Sequence, residues 1–162
     1  MEFKEVRKIL EKQSLMSLGT QGEKYPDNSV VCFAYDDQCN LFFGSYSDTL
    51  KCKNIARNSI VAVTTGTLQI HGNAQIVPYG TKEYYERRKV YDNRFPQYKE
   101  LFELENNELY VIKPLVIWNY NPAGGEMHRD VIVLDREYYD SIEVYLPHKY
   151  SERDNKVVDN NN

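Results

Sequence analysis

The segment 60-IVAVTTGTLQIHGNAQIV-77 decides the fold class, because its residues alternate between apolar and polar on both sides of Gly66. Before this glycine, valines alternate with alanine and threonine. After it, leucine and isoleucine alternate with glutamine and histidine. A period of two places successive side chains on opposite faces of a sheet. The sequence therefore predicts two neighbouring strands, 60–65 and 68–77.

Similar patterns recur on both sides of this segment. The further predicted strands are 14–21, 29–37, 41–45, 109–120, 130–135 and 141–146, and the predicted helices are 2–13, 48–58, 81–95 and 97–104. Pro114 cannot donate to a ladder, so it predicts an edge or a bulge within its strand. Many short strands without regular strand–helix alternation predict a mainly β fold with an antiparallel sheet. Closure into a small barrel would remove its exposed edges.

The length and charge of the chain exclude several classes of protein. With 162 residues, it is long enough for one domain, expected over 1–150, and the polar segment 151–162 is expected to be a disordered tail. The formal net charge of −4 argues against nucleic-acid binding, which needs a basic surface. No apolar run approaches the length of about 18 residues that a membrane span needs. The three cysteines form no CxxC pair, and the N-terminus lacks a signal-peptide core, so we expect a cytoplasmic protein.

The segment 44-GSYSDTLKCKNIARN-58 is rich in hydroxyl groups and lysines at the predicted start of a helix. Ser47 or Asp48 could cap that helix, and the lysines would then be solvated surface residues. Alternatively, the helix N-terminus could bind an anion, since its N–H groups are unpaired and its dipole favours negative charge. In that interpretation, Thr49 would add a hydroxyl donor and Lys51 a full positive charge.

Four other residues carry chemistry that could serve a site. His71 lies in an alternating strand, where a histidine is either a packed polar group or a ligand contact. Trp118, the only tryptophan, is either core filler or a flat wall against a planar ring. His128 and Arg129 follow a Pro-Gly loop, where Arg129 could pair with a phosphate or remain solvated. No histidine or acid stands at metal-ligand spacing, so we expect no metal site.

The order of several segments resembles the FMN-binding split-barrel family, which includes pyridoxamine 5′-phosphate oxidase and general-stress and nitroimidazole-resistance-like flavoproteins. The resemblance is carried by 28-NSVVCFAYDD-37, 41-LFFGS-45, 48-DTLKCKNIARNSIVAV-63 and 68-LQIHGNAQIV-77, and it extends more weakly to about Pro147. It implies a six-stranded antiparallel split β-barrel of Greek-key type with peripheral helices. It also implies a homodimer with FMN at the interface.

The resemblance further implies which residues would contact the flavin ring. Ser29, Val30 and Val31 would line the isoalloxazine through their strand backbone. Gln69 matches a family glutamine that faces the flavin, and Trp118 would complete the pocket from the other subunit.

The same resemblance assigns the phosphate end of the cofactor. Gly44 and Ser45 would border the ring or the ribityl phosphate. Thr49, Leu50 and Lys51 would lie at the phosphate, with Lys51 as its cationic partner.

The sequence also departs from the oxidase pattern. Ser29 and Leu50 stand where the oxidase has arginines, and Ala34 stands where it has a substrate lysine. The substrate motif Tyr-x-x-x-Arg-x-x-x-Ser is kept only as Tyr84 and Arg88, with Asp92 at the serine position, and an acid there would repel a substrate phosphate. The departures predict a protein related to the oxidase that does not catalyse its reaction.

Two functions are consistent with these residues. The first is an FMN-dependent oxidoreductase acting on a small molecule, with His71, His128 and Arg129 as the candidates for a role toward substrate. The second is a non-catalytic protein of the same fold that holds FMN or haem for sensing, storage or detoxification. An iron ligand would have to be His71, His128 or His148, since these are the three histidines.

Overall fold

The computed structural model describes residues 1–120, 129–143 and 156–157. Its helices are α1 (Phe3–Glu11), α2 (Leu50–Arg57), α3 (Lys82–Arg94), the 3₁₀ helix Pro96–Glu103, and α4 (Arg136–Glu143). Its strands are β1 (Leu15–Gln21), β2 (Pro26–Cys32), β3 (Ala34–Tyr35), β4 (Leu41–Tyr46), β5 (Ile60–Thr65), β6 (Leu68–Ile76), β7 (Asn107–Tyr120), β8 (Arg129–Val133) and β9 (Lys156–Val157). None of these helices is long and apolar enough to cross a membrane.

All the described strands belong to one sheet. Its order is β2-β1-β5-β6-β7-β4-β3, with β8 paired to β7 and β9 paired to β8. Each pair is antiparallel except β8–β9. The predicted mainly β, antiparallel split barrel is therefore confirmed, although the described residues form nine strands rather than six.

Phe33 brings the two ends of this sheet together. Strands β2 and β3 stand at opposite ends of the strand order, yet Phe33 is the single residue between them. A flat sheet cannot meet that connection, so the sheet curls. The Phe33 side chain is fully buried, and its N–H donates to the carbonyl of Ser14 at 3.3 Å. The predicted strand 29–37 is consequently two strands, broken where the chain passes from one end of the sheet to the other.

Strand β7 spans the split in the barrel. Strand β6 pairs along one edge of β7, while its other edge carries β4 beside Asn107–Ile112 and β8 beside Val116–Tyr120. Pro114 lies between the segment of β7 that pairs with β4 and the segment that pairs with β8, so its missing N–H removes no hydrogen bond to either strand. The β6–β7 register shifts at the same level, between His71 and Gly72. The bulge predicted from Pro114 is confirmed, whereas the alternative of an edge strand is wrong because β7 lies inside the sheet.

Three apolar clusters stabilise the curled sheet. The largest fills its concave side, where α1 contributes Val6 and Leu10 to residues from β1, β4, β5, β6 and β7. A second cluster lies under α3 and the 3₁₀ helix, and a third between α4 and the β7–β8 pair. Arg94 of α3 ties two of these regions together, since its guanidinium donates to the Leu10 and Gln13 carbonyls and lies 4.9 Å from the Tyr35 ring centroid.

The sequence predicted a strand over 141–146. This prediction is wrong for residues 141–143, because residues 136–143 form helix α4. Residues 144–146 lie outside the described residues. The Asp135 carboxylate accepts from the Tyr138 N–H at 2.8 Å, which satisfies a free donor at the helix start. Arg136 and Asp140 form an i,i+4 ion pair at 2.7 Å. In the expected tail, Lys156–Val157 pair with β8, and the other tail residues lie outside the described residues.

Replacing Phe33 with alanine tests the importance of the connection. We expect Phe33→Ala to lower the free energy of unfolding by about 3–5 kcal/mol, because it removes a buried ring and leaves a cavity where the sheet ends meet. Urea denaturation followed by circular dichroism measures this loss. Tyr25→Ala is the matched control, since Tyr25 is 78% exposed and its loss should change stability by less than about 0.5 kcal/mol. Equal losses in the two variants would contradict the expectation.

Candidate functional site

A cleft of about 550 Å³ opens on the convex face of the sheet. It is lined by residues 19–28 of the β1–β2 hairpin, by Ile60, Val61 and Ala62 of β5, by His71 of β6 and by Tyr138 of α4. Its volume falls in the range of about 300–1,000 Å³ that is typical of small-molecule sites. The cleft is therefore large enough for a cofactor-sized ligand.

The strand register explains why these residues meet. Asn28, Gly19, Ala62 and His71 are successive cross-strand neighbours on β2, β1, β5 and β6. Gly19, which has no side chain, and Ala62, which has only a methyl group, lie in the middle of this row. Because no bulky side chain projects there, a flat molecule can approach the backbone closely.

The next row of neighbours contains three of the residues predicted to contact a flavin. Val30, Ser17, Thr64, Gln69 and Trp118 follow one another across five strands. The register thus places Val30, Gln69 and Trp118 in one line on the cleft face, although each was assigned from a different part of the sequence.

His71 is held from three sides. Its Nδ1 lies 2.9 Å from the Tyr138 hydroxyl, and its Nε2 lies 3.5 Å from the Gln69 amide nitrogen. Its ring meets Trp118 edge to face, with the centroids 4.9 Å apart. Burial lowers the pKa of His71 from its ordinary value of 6.5, so the imidazole is neutral at pH 7.

Trp118 is packed beneath helix α4. It is 4% exposed and belongs to the cluster of Val116, Val131, Val133 and Tyr139. In the described residues its ring serves as core packing, and its predicted contact with a ring from the other subunit stays a prediction.

The three residues predicted on β2 point to different sides. Val30 is 70% exposed on the cleft face, whereas Ser29 and Val31 pair with Leu18 and Met16, whose side chains face the core. Strand β1 pairs one edge of β2, and no described strand pairs the other. Within the part of the chain that the structure describes, that edge has no strand partner, so its backbone is suited to the predicted contact with a ring.

The start of helix α2 differs from the predicted cap. Thr49, not Ser47 or Asp48, is the N-cap residue, and no side chain caps the helix. The Thr49 hydroxyl instead donates to the Tyr46 carbonyl at 2.9 Å, and the Ser45 hydroxyl lies 3.1 Å from it. The first N–H groups of α2 therefore lack the side-chain partner that a cap would supply.

Lys51 lies in the first turn of this uncapped helix. Its side chain is partly buried and forms no ion pair or hydrogen bond within the described residues, while Leu50 beside it is 59% exposed. One turn further on, the Asn54 amide donates to the hydroxyl of Thr20, a residue of the cleft, at 3.1 Å. The Thr20 side chain is buried on the core side of β1, and no residue of α2 lines the cleft. At the opposite end of α2 from Lys51, Arg57 forms an ion pair with Glu23 of the hairpin at 3.2 Å.

Gly44 pairs with Leu109 of β7 and lies on the side of β4 that the 3₁₀ helix covers. A Cβ atom built there would lie 2.5 Å from the Phe102 ring, so the 3₁₀ helix fills the space above this glycine. Ser45, its neighbour, is buried. The predicted contact of Gly44 with the cofactor stays a prediction.

The remainder of the oxidase substrate motif is engaged within the fold. Arg88 is 9% exposed and donates to Asp92 at 2.8 Å and to the Lys99 carbonyl at 2.7 Å. Its guanidinium also lies 4.4 Å from the centroid of the Phe102 ring. Arg88 therefore fastens α3 to the 3₁₀ helix and has little capacity to bind a substrate.

The remaining predicted residues are Arg129, at the start of β8, and His128. Arg129 is exposed and pairs in register with Tyr120, and His128 lies outside the described residues. The described residues contain no group of three His, Cys, Asp or Glu side chains that could hold a metal ion.

Sequence reasoning missed Tyr138, which the structure adds to the cleft. The signal was present, because Asp135 precedes Arg136 and Glu137 as an N-cap residue precedes a helix. The alternation in 141–146 suggested a strand and concealed it. This capping signal could have predicted helix α4 from the sequence. It could not have predicted the contact of Tyr138 with His71.

Comparison with known proteins agrees with this architecture. The family model described as pyridoxamine 5′-phosphate oxidase matches residues 3–121. No curated protein matches the sequence significantly.

Three solved structures illustrate the similarity in fold. A haem-binding protein from Mycobacterium smegmatis superposes with a TM-score of 0.68 at 14% identity, over 81% of this chain and 57% of that chain. An FAD-binding protein from Mesorhizobium loti gives 0.60 at 15%, over 72% and 90%. General Stress Protein 26 from Bacillus anthracis gives 0.57 at 20%, over 72% and 91%. At these identities the superpositions establish the fold alone.

The lowered pKa of His71 predicts a pH dependence of stability. The unfolded chain binds the proton more readily, so the stability contributed by neutral His71 is present above about pH 6.5 and is lost as the pH falls through the folded pKa. We expect the free energy of unfolding of the wild type to fall more between pH 7.5 and 5 than that of His71→Gln, which cannot titrate. Urea denaturation at both pH values measures the difference, and parallel pH profiles would contradict it.

Proposed function

Because the chain belongs to the pyridoxamine 5′-phosphate oxidase family, we propose that it is an FMN-binding flavoprotein and an oxidoreductase acting on a small molecule. The observation that carries this proposal is the cleft on the convex sheet face, beside Gln69 and His71 and close to the free edge of β2. A planar ring needs a flat surface with hydrogen-bonding groups at its rim, and this face offers both.

The residues of the cleft fit a flavin ring. The flat face of the isoalloxazine would pack on the sheet at Gly19 and Ala62, where no bulky side chain projects. The backbone of β2 would hydrogen-bond its polar edge. Gln69 provides an amide group in line with Val30 on the same face. These contacts need no charged residue, as suits a neutral heterocycle.

The residues at α2 fit a phosphate. The uncapped N-terminus offers free N–H groups, and Lys51 adds a positive charge that no described acid neutralises. The buried hydrogen bond from the Asn54 amide to the Thr20 hydroxyl fixes α2 against the core side of β1, the strand that carries Gly19 on its cleft face. The hydroxyls of Ser45 and Thr49 are engaged with each other and with Tyr46, which leaves Lys51 and the backbone as the principal phosphate ligands.

The bound flavin would supply the redox chemistry by accepting or donating a hydride. The chain itself would bind and orient the ring, and the His71 side of the cleft would limit the access of water. Arg129 and His128 remain candidates for contact with substrate, on the expectation drawn from the sequence.

Oxidation of pyridoxamine 5′-phosphate itself is not part of the proposal. Arg88 is occupied by Asp92 and by the Lys99 carbonyl, so it is not free to bind a substrate phosphate. Ala34, at the position of the oxidase's substrate lysine, is fully buried.

We further propose a homodimer, with the cofactor at its interface. Val30 is 70% and Leu15 is 51% exposed on neighbouring strands, and a second subunit would cover such apolar side chains. Sedimentation equilibrium, with and without added FMN, determines the mass. A monomer under both conditions would exclude the dimer.

Haem binding is the second candidate function. His71 is neutral and its Nδ1 is paired with Tyr138, which leaves Nε2, 3.5 Å from the Gln69 amide, as the nitrogen that could reach an iron. A haem-binding protein shares the fold. A Soret band in the purified protein that is lost in His71→Ala would support haem.

A visible spectrum of the purified protein, with mass spectrometry of the released ligand, tests the proposed function directly. FMN absorbance and the FMN mass would support it. A colourless protein that ignores added FMN and haem would contradict both candidates.

Lys51 provides the residue-level test of the phosphate site. We expect Lys51→Ala to weaken FMN binding by about 1.5–3 kcal/mol, since it removes a charge-assisted hydrogen bond. Titration monitored by quenching of flavin fluorescence measures the affinity. Lys53→Ala is the matched control, because Lys53 is an exposed lysine on the same helix. Equal FMN affinities of the two variants would indicate that Lys51 is a solvated surface residue.

A further inference from the structure

Helix α4 contributes to the cleft although it lies outside the residues that match the family. The match covers 3–121, whereas α4 spans Arg136–Glu143. Tyr138 of this helix lines the cleft together with His71. The cleft wall at α4 is therefore a feature of this chain beyond the matched segment.

Helix α4 is anchored firmly enough to position a side chain. Tyr139 is fully buried against Trp118, with the ring centroids 6.5 Å apart. The Asp135 carboxylate holds the Tyr138 N–H at 2.8 Å, and the Ser141 hydroxyl donates to the Tyr138 carbonyl at 2.6 Å. Tyr138 is thus fixed at its backbone while its hydroxyl reaches His71.

The hydrogen bonds around His71 have one direction. The Gln69 amide nitrogen, which is a donor, lies 3.5 Å from His71 Nε2, and we therefore assign the tautomer in which Nε2 accepts. The ring proton then resides on Nδ1 and is donated to the Tyr138 oxygen at 2.9 Å. In the described residues the Tyr138 hydroxyl has no other partner, so its own proton remains available in the cleft.

His71 and Tyr138 both keep the protonation state that these hydrogen bonds require. Burial lowers the pKa of His71 and raises the pKa of Tyr138, so both are neutral at pH 7. The charged residues that line the cleft, Glu23, Lys24 and Asp27, all belong to the β1–β2 hairpin. No charged side chain lines the cleft beside His71 and Tyr138, which favours a neutral acceptor over an anion.

We propose that the Tyr138 hydroxyl, oriented by His71, donates a hydrogen bond to a carbonyl oxygen of a planar ring bound in the cleft. The carbonyl belongs either to the flavin or to a second molecule stacked on it, such as a quinone. This inference rests on the proposed function and adds the ligand chemistry at one end of the cleft. In it, Tyr138 is a binding residue and His71 a positioning residue.

The experiment compares wild type, Tyr138→Phe and Tyr85→Phe in two titrations. FMN is titrated into the flavin-free protein, and menadione, a planar quinone, is titrated into the FMN-loaded protein, with flavin fluorescence and absorbance as readouts. Tyr85→Phe is the control, because it removes a hydroxyl from the 55% exposed Tyr85 of α3, outside the cleft. Loss of one neutral hydrogen bond weakens binding about 2- to 10-fold.

The outcomes separate the two sources of the carbonyl. If Tyr138→Phe binds FMN more weakly than wild type and Tyr85→Phe does not, the Tyr138 hydroxyl bonds a carbonyl of the flavin. Unchanged FMN binding with weaker menadione binding assigns it to a second molecule. Unchanged affinity in both titrations overturns this inference and leaves the proposed function intact, whereas a wild type that does not bind FMN overturns both.

His71 variants test the positioning role. We expect His71→Asn to retain most of the affinity, because an asparagine amide can place a donor close to the position of Nδ1, and His71→Ala to lose it to the same extent as Tyr138→Phe. Equal affinity of His71→Ala and wild type would overturn the positioning role. Thermal unfolding of each variant confirms that the compared proteins are folded.

Discussion

The one-residue connection at Phe33 is the constraint on which the rest of the structure depends. Strands β2 and β3 occupy opposite ends of the strand order, so the chain can join them through a single residue only if the sheet curls. Curling creates a concave side, which α1 and the main core fill, and a convex side, part of which is left uncovered as the cleft. Arg94 secures the connection, since it donates to the Leu10 carbonyl of α1 and its guanidinium lies over the rings of Phe33 and Tyr35.

The open convex side explains where a ligand can bind. On this face the register places Gly19 and Ala62 side by side, while Gln69 and His71 follow at the rim. Helix α4 covers the neighbouring surface of β7 and β8, where Trp118 is buried. The cleft therefore exists because α4 covers only part of the convex face.

Charge is distributed unevenly around this cleft. The charged residues of its lining, Glu23, Lys24 and Asp27, lie on the β1–β2 hairpin, whereas His71 and Tyr138 are kept neutral by burial. Helix α2, which adds no residue to this lining, begins without a capping side chain and carries Lys51 with no described acidic partner. In contrast, Arg88 and Asp92 neutralise each other inside the fold and contribute nothing to the cleft.

The sequence by itself determined the antiparallel β class, the helices α1, α2 and α3, and the bulge at Pro114, because these follow from periodicity and from the missing proline N–H. It also placed Lys51 at a helix start. Only the tertiary structure decided that Thr49 is the N-cap, that 136–143 is a helix and that Tyr138 meets His71. The cap differs because the Thr49 hydroxyl bonds the nearby Tyr46 carbonyl, a choice between neighbouring hydroxyl residues that the sequence left open. The position of α4 and the meeting of Tyr138 with His71 depend on segments far apart in the chain, such as Tyr139 against Trp118, and local propensity cannot report such contacts.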